Sequence, residues 1–395
     1  MEFNLSEEHR LLQRSVRDFA RREVAPHAQE IERNGEFPLD LFRAVTKLGW
    51  LGAAIPTEYG GGGLDLLADF IIAEELATAL PGFAMDCMVH SGVIGYKVIY
   101  RMGTDDQRKE YLPRFTRGEV IGAIVMTEPD AGSDVRGVKT TAAVDGDDYV
   151  LNGRKTLITN FGAPLPSVGM VLAGMSNGDG DRKYSAFLVE KDTPGISVSD
   201  PIEMSGMKSS YQNEVTFDDV HIPKGALLGK EGDGLKMALA SIDVDRILCC
   251  ALSTGIARGA YERAQAYSRQ REAFGQPIGD FQAVQIMLAE MATKITASKL
   301  LGYYATSLEV AGQRCTSEAA MAKLFATTMA QYVTEHAMHI HGGWGYTVEV
   351  GVERFYRDNM AVVLGGGAAE ILQLAIGKAS AAGALGSLDI SSNPN

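Results

Sequence analysis

Long apolar runs, paired cysteines and a cationic N-terminus are all missing from this chain of 395 residues. No stretch approaches the roughly 20 apolar residues that span a bilayer. Residues 1–6 show no cationic stretch followed by an apolar one, so no signal peptide is expected. The four cysteines form no CxxC pair, which favours reduced thiols. Together these absences predict a cytoplasmic protein with no membrane partner.

Positive charge is also scarce. Lys and Arg number 37 against 50 Asp and Glu, which gives a formal charge of −13. Because nonspecific nucleic-acid binding depends on neutralising phosphates with Lys and Arg, no nucleic-acid partner is expected.

Several motifs that mark well-known enzyme classes are absent. The chain has no GxGxxG after a strand, no GxxxxGK[ST] and no HExxH. His336, His339 and His341 lie close together, but no acidic residue has convincing spacing for a fourth ligand. No metal site is therefore predicted.

The chain divides into three regions and a short tail. Residues 1–122 and 233–385 show helical periodicity, whereas residues 123–232 contain short β-rich runs separated by Gly and Asp, and residues 386–395 form a loose tail. This order predicts an α+β fold. Asn152 and Gly153 lie between two β-rich runs and predict a hairpin turn, because both tolerate positive φ.

Individual helices are also predicted. Ser6 is a helix N-cap followed by Glu7 and Glu8 in the first turn, where acidic residues are favoured. Residues 282–310 and 313–340 have the period of two long amphipathic helices.

Three segments carry a resemblance to a known family. Residues 126–134 read MTEPDAGSD, residues 271–282 read REAFGQPIGDFQ, and residues 341–346 read HGGWGY before the Glu353-Arg354 and Arg357-Asp358 pairs. In this order they resemble the T-E-P-x-A-G-S-D, R-x-x-F-G-x-P-I-x-x-F-Q and G-G-x-G-Y…R-x-x-R-D motifs of FAD-dependent acyl-CoA dehydrogenases, over nearly the whole chain. The resemblance implies an N-terminal helical domain, a middle antiparallel β-domain and a C-terminal four-helix bundle. It also implies a homotetramer that passes electrons to an electron-transferring flavoprotein.

The same resemblance implies which residues bind FAD. Met126, Thr127 and Thr159 would line the flavin, and Ser133 would lie near the junction of FAD and the acyl-CoA substrate. Arg271, Phe274 and Gln282 would hold the adenine–pyrophosphate half of FAD from a neighbouring subunit. Gly343 would lie along the dinucleotide, and His339 is a further implied contact. The chain departs from the usual pattern at Leu157, His339 and Ala368, where relatives have Trp, Gln and Thr.

The family reaction needs a carboxylate that removes the α-proton of an acyl thioester. Most relatives have this base as glutamate in a Y-E-G-T segment, but here the segment reads Gly365-Gly366-Gly367-Ala368, with glycine at the base position. A minority of relatives, including isovaleryl-CoA dehydrogenase, have the base before an arginine on an earlier helix. Asp245 falls at that position, ahead of Arg246, and Asp243 and Arg246 resemble a pair adjacent to the CoA.

A second acidic candidate, Asp86, falls in the stretch that lines the acyl pocket of relatives, and His90 is close enough in sequence to pair with it. Asp86 would cap a helix, contact a polar acyl group, or act as base at a carbon other than the α-carbon. His90 and Gly366 would border the substrate, and the glycines at 365–367 would leave room for a branched or cyclic acyl group.

Three functions remain open from the sequence. The first is an FAD-dependent acyl-CoA dehydrogenase acting on a branched, cyclic or otherwise atypical acyl group. The second is a flavin-dependent enoyl-thioester reductase, or a remote-carbon (1,4-type) dehydrogenase of a cyclic acyl-CoA. The third is a non-catalytic subunit that binds acyl thioesters.

The visible spectrum of the purified protein separates the third function from the other two. Because FAD carries the redox chemistry, we expect a yellow protein that bleaches on anaerobic reduction. A colourless and fully folded preparation would support the non-catalytic subunit instead.

Overall fold

The computed structural model describes residues 5–175 and 183–385, so the predicted tail at 386–395 lies outside the described residues. The helices are α1 Glu7–Phe19, α2 Ala28–Asn34, α3 Leu39–Lys47, α4 Leu66–Ala77, α5 Pro81–Met88, α6 Asp105–Thr116, α7 Gly234–Gln270, α8 Gln282–Val310, α9 Thr316–His341, α10 Glu353–Leu364 and α11 Ala369–Ala381. Two π-helical segments, Ala20–Val24 and Val89–Arg101, extend α1 and α5. The strands are β1 Ile121–Val125, β2 Thr141–Asp145, β3 Asp148–Thr159, β4 Ser167–Met175, β5 Lys183–Glu190, β6 Ile196–Val198, β7 Gln212–Pro223, β8 Leu227–Leu228, β9 Glu272–Ala273 and β10 Gln276–Pro277.

The N-terminal helices surround α4, which is buried on nearly every side. Ser6 caps α1 as predicted, because its hydroxyl accepts a hydrogen bond from the backbone N–H of His9. The buried carboxylates of Glu74 and Glu75 on α4 pair with Arg258 of α7, and Lys299 of α8 lies 3.0 Å from Glu74. Burying a charge is costly unless it is paired, so these ion pairs fix how the N-terminal helices pack on the C-terminal ones.

The middle of the chain forms one eight-stranded sheet in the order β6-β7-β3-β2-β4-β5-β8, with β1 beside β4. Its pairings are mainly antiparallel, but β1 and β2 each pair with β4 in parallel. The predicted α+β class is confirmed.

The hairpin prediction at Asn152-Gly153 is wrong. These residues lie inside β3, and the turn is formed instead by Gly146 and Asp147, with Asp145 paired to Asp148. Two tertiary contacts explain the difference. The Asn152 side chain exchanges two hydrogen bonds with Asp219 of β7, and Gly153 bulges where an added Cβ would lie 2.4 Å from Thr140 Oγ1. The pair therefore forms a β-bulge, in which glycine is favoured for the same conformational reason as in a turn.

The C-terminal region consists of α7, α8 and α9 packed side by side, with α10 against α7 and α9, and α11 against α9. The predicted helix at 282–310 matches α8, and α9 begins three residues later than predicted. Among the described residues, no single helix is long and apolar enough to cross a membrane. Within the same residues, α10 and α11 would be long and apolar enough if they were taken together, but the chain bends by 48° between them.

Three buried carboxylates hold one loop of the β-domain at the junction with the helices. Asp358 of α10 accepts a hydrogen bond from the backbone N–H of Met207 at 2.7 Å. Glu32 of α2 accepts from Lys208 and Ser209, and Asp86 of α5 accepts from the Ser210 hydroxyl at 2.5 Å. Burial, together with the charge of Glu32, raises the pKa of both Asp86 and Asp358.

We expect substitutions of Asp358 to separate its hydrogen bond from its charge. Because its pKa is raised to about 7 in the folded protein, the Asp358 carboxyl binds its proton more tightly in the folded state than in the unfolded state. The free energy of unfolding should therefore fall as the pH rises from about 4 towards 7. Asp358→Asn keeps an acceptor for Met207 N–H, and its melting temperature should depend less on pH between pH 4.5 and 7.5 than that of the wild type. Asp358→Ala also removes the acceptor and should be about 1–3 kcal/mol less stable than Asp358→Asn in urea unfolding at every pH. Equal pH dependence in Asp358→Asn and wild type would contradict this account.

Candidate active site

A buried ion pair supports the segment that follows β1. Glu128 accepts hydrogen bonds from the backbone N–H groups of Lys139 and Thr140, and from Lys155 Nζ at 2.9 Å. Lys155 also donates to the carbonyls of Met126 and Leu172. Burial opposes ionisation of Glu128, but its hydrogen bonds and Lys155 lower its pKa overall. The backbone at Met126 and Thr127 is thereby held rigidly at the end of β1.

The end of β3 has an unusual backbone. Leu157 has a φ of 54° and is 51% exposed, although it is apolar and lies next to the buried Ile158. The register of β3 on β7 shifts between Lys155 and Ile158, which accommodates this conformation. Thr159, two residues later, donates its hydroxyl to Gln212 Oε1 at 2.9 Å. Positive φ at a branched apolar residue is rare outside functional or tightly constrained sites.

Asp245 of α7 meets the glycine segment that joins α10 to α11. The carboxyl is 8% exposed, and a Cβ placed on Gly366 would lie 2.6 Å from Asp245 Oδ2 and 3.4 Å from Cys249 Sγ. Gly366 has a φ of 62°, which L side chains rarely adopt. The Asp245 carboxylate thus occupies the space that any side chain at position 366 would need. The structure brings together two residues that the sequence had assigned to the site.

Two positive charges act on this carboxylate. Burial is the largest influence and raises the pKa of Asp245, whereas Lys323 and Arg246 oppose that rise. The predicted pair is also present, because Arg246 Nη1 lies 3.5 Å from Asp243 Oδ1. Asp243 in turn accepts from Thr316 at the start of α9. The result is a carboxylate that binds its proton more tightly than an exposed aspartate does.

The segment that follows β1 and begins at Met126, called the Met126 segment below, packs on the same face of α7 as Asp245. Met126, Ala131 and Val138 form a cluster with Ala238. Ala238 and Asp245 are seven residues apart, which is two helical turns or about 10 Å. We therefore place the candidate cleft along this face of α7, between the Met126 segment and Gly366.

The other predicted cofactor contacts are exposed. Phe274 is 98% exposed at the tip of the short β9–β10 ribbon, and Ser133 lies in an exposed turn. Arg271, Gln282, His339 and Gly343 are likewise exposed. The Tyr267 ring, near the end of α7, stacks on His341 at 4.4 Å between ring centroids. This contact brings the 271–282 and 339–343 segments to the same end of the molecule.

Asp86 and His90 do not pair with each other. Asp86 is fully buried, and its contact is with Ser210. Gly122 N–H donates to His90 Nδ1 at 3.1 Å, so Nε2 carries the proton and donates to the Phe115 carbonyl at 3.3 Å. Burial lowers the pKa of His90 to about 3. Both side chains thus join the helices to β1 and to the 207–210 loop.

The predicted histidine cluster makes no metal site among the described residues, where no group of three or more His, Cys, Asp or Glu side chains has suitable geometry. His336 and His341 each bond through Nδ1 to a backbone carbonyl of their own helix.

Family models and known proteins match the chain along its whole length. Models of the N-terminal, middle and C-terminal domains of acyl-CoA dehydrogenases match residues 6–119, 123–220 and 232–381. The probable acyl-CoA dehydrogenase YngJ of Bacillus subtilis (strain 168) is 38% identical over 378 residues, which is 96% of this chain and 99% of that protein. The chain belongs to the acyl-CoA dehydrogenase family.

Two further comparisons concern chemistry and cofactor. The caffeyl-CoA reductase–Etf complex subunit CarC of Acetobacterium woodii is 36% identical over 372 residues, covering 94% of this chain and 97% of its own. A glutaryl-CoA dehydrogenase from Mycobacterium smegmatis, solved in complex with FADH2, has a TM-score of 0.88 and 29% identity, over 96% of this chain and 95% of that one. Acyl-CoA dehydrogenases are FAD-dependent oxidoreductases that act on CH–CH groups, so this chain is an FAD-dependent enzyme of that class.

The residues present fit FAD. Leu157 offers an apolar surface that stays half exposed in the chain alone, beside the strand end that carries Thr159. A Cβ added at Gly342 or Gly343 would meet nothing within 4 Å, so the backbone there is open to a ligand. Met126, Thr127 and Thr159 would hold the flavin edge, and Gly343 would border the dinucleotide.

Sequence reasoning missed one buried group beside Asp245. Lys323 of α9 is 0% exposed and donates to the carbonyls of Gly365 and Gly367. A signal was available, because Lys323 lies on the helix stripe that is otherwise formed by buried alanines such as Ala319, Ala326 and Ala330. A lysine on an apolar stripe has either a buried partner or a special role.

We expect Gly366→Ala to inactivate this acyl-CoA dehydrogenase while leaving it folded. The added methyl would collide with the carboxylate of Asp245, the base predicted from the sequence, and displacing a base by about 1 Å costs on the order of a hundredfold in rate. Steady-state turnover of acyl-CoA measures the effect.

Gly377→Ala provides the matched control, because a Cβ at this position of α11 would meet nothing within 4 Å. It should keep full activity. Wild-type turnover by Gly366→Ala would show that Asp245 does not need its present position.

Proposed function

We propose that this enzyme oxidises an acyl-CoA thioester to the α,β-enoyl thioester, with Asp245 as the base that removes the α-proton. The observation that carries the proposal is the packing of the Asp245 carboxylate against Gly366, the residue at the usual position of the glutamate base. Bound FAD supplies the acceptor for the hydride that leaves the β-carbon.

The surroundings of Asp245 suit a base. Because burial raises the pKa of this carboxyl, its ionised form is a stronger proton acceptor than an exposed aspartate. Lys323 and Arg246, both positively charged, limit this rise of the pKa. Arg246, held by Asp243, organises the site beside the base.

The acyl group is proposed to be branched, cyclic or otherwise bulky. Gly365, Gly366 and Gly367 have no side chains, and Asp245 has one methylene fewer than glutamate. Asp245 fills the space at Gly366. The additional room near the α-carbon is proposed to come from the shorter base and from the missing side chains of Gly365 and Gly367.

Two partners are proposed, an electron-transferring flavoprotein and further copies of this chain. The name of the CarC relative links it to Etf, which supports an electron-transferring flavoprotein as redox partner. Phe274 and Tyr346 are 98% and 84% exposed in the single chain, which supports a homotetramer in which they are covered.

The CarC relative also supports a second function, a reductase of enoyl-CoA thioesters. In that direction Asp245 returns the proton to the α-carbon, since the same group serves both directions of one reaction.

Anaerobic titration with straight, branched, cyclic and aromatic acyl-CoAs tests the proposal, because substrate oxidation bleaches the flavin. We expect the branched or cyclic members to bleach it fastest. If only enoyl-CoA reoxidises the reduced enzyme, and saturated acyl-CoA leaves the flavin oxidised, the reductase is the correct function.

Asp245→Asn should lower kcat by about 10²- to 10⁴-fold, the usual contribution of a general base, while FAD stays bound. In the wild type, kcat/KM should rise with pH through a pKa above the ordinary aspartate range, because the base must be ionised. Glu262→Gln, at a half-exposed position of the same helix, should leave both properties unchanged. Undiminished turnover by Asp245→Asn would rule out this base.

A further inference from the structure

Lys323 lies where α9 passes beneath the glycine segment. Its side chain is fully buried, and its ammonium donates to the carbonyls of both Gly365 and Gly367. These two carbonyls flank Gly366, where an added Cβ would lie 2.6 Å from Asp245 Oδ2. One lysine therefore bonds the backbone on both sides of the residue that the base touches.

The glycine segment has little else to define its shape. Gly366 and Gly367 have φ values of 62° and 99°, and three glycines in succession have more conformational freedom than any other tripeptide. A segment of this kind holds one conformation only if surrounding groups impose it. The two hydrogen bonds from Lys323 do so.

Lys323 also places a positive charge beside the base. Among the described residues, the charged or titratable groups that act on Asp245 are Lys323 from α9, and Arg246 and Cys249 from α7. Arg246 is paired with Asp243, whereas Lys323 bonds to neutral carbonyls, so the charge of Lys323 is not cancelled by a bonded carboxylate.

We propose that Lys323 is a positioning residue for the dehydrogenation. It fixes the Gly365–Gly367 backbone against Asp245, and its ammonium favours the ionised form of that carboxylate. The inference rests on the proposed role of Asp245 as base and identifies the group that holds this base ready.

Two substitutions separate the hydrogen bonds that Lys323 donates from its positive charge. Lys323→Met removes both, and Lys323→Gln removes the charge but keeps a donor. For each variant, kcat, KM and the pH profile of kcat/KM are measured with a saturated acyl-CoA, together with melting temperature and flavin content.

In Lys323→Met, we expect kcat to fall by about ten- to a hundredfold, since the base is less well placed. The acid limb of kcat/KM should move to higher pH by about one unit, because loss of a nearby cation raises the pKa of a carboxyl. In Lys323→Gln the limb should move by the same amount, with a smaller loss of kcat. If Lys323→Met does not fold, the shifted limb of Lys323→Gln decides the question.

Lys191 provides the matched control. It too donates to two backbone carbonyls, those of Ala163 and Leu165, but it lies in the β-domain. Lys191→Met should lower the melting temperature without moving the acid limb. A limb that stays at its wild-type pH in both Lys323 variants would overturn the inference.

The turnover of Asp245→Asn distinguishes an error in the role of Lys323 from an error in the proposed base. If Asp245→Asn is inactive and the limb of the Lys323 variants does not move, Asp245 is the base and Lys323 is merely structural. If Asp245→Asn retains full turnover, the proposed base is wrong and the role of Lys323 falls with it.

Discussion

The contact between the Asp245 carboxylate and the backbone of Gly366 sets the geometry of the proposed active site. Two segments that are distant in sequence compete for one small volume, since a side chain at 366 would overlap the carboxylate at 2.6 Å. An aspartate at position 245 of α7 therefore requires a glycine at position 366, between α10 and α11. Placing that carboxylate in a buried site also makes it a better proton acceptor, at the cost of desolvating its charge.

Two buried lysines stabilise the two sides of the cleft. Lys155 links Glu128 to the carbonyl of Met126 on the side of the β-domain, and Lys323 holds the glycine segment on the side of the helices. Each uses a buried cation to order irregular backbone. Because a buried ammonium loses its hydration, it must keep its hydrogen bonds, and the segment it contacts is constrained in return. Rigid supports of this kind suit a reaction in which a small displacement of the base lowers the rate.

The local features of the fold could be predicted where one segment determines its own structure. Ser6 caps α1, and α8 spans 282–310, because capping chemistry and apolar periodicity act within a single helix. The Asn152-Gly153 turn failed because Asp219 and Thr140, from other strands, accommodate the pair inside β3. The Asp86–His90 pair failed for the same kind of reason, since the contacts of these side chains come from Ser210, Phe115 and Gly122.

The sequence by itself determined the family, the order of helical and β regions, and the absence of a glutamate at position 366. These properties depend on residue identity and spacing, which can be read directly from the linear sequence. Only the tertiary structure decided that Asp245 fills the space at Gly366 and that Lys323 lies beneath it. The physical reason is that burial, close contact and electrostatic coupling arise between helices packed side by side, and no local pattern in α7 or α9 encodes which residue of the other it will meet.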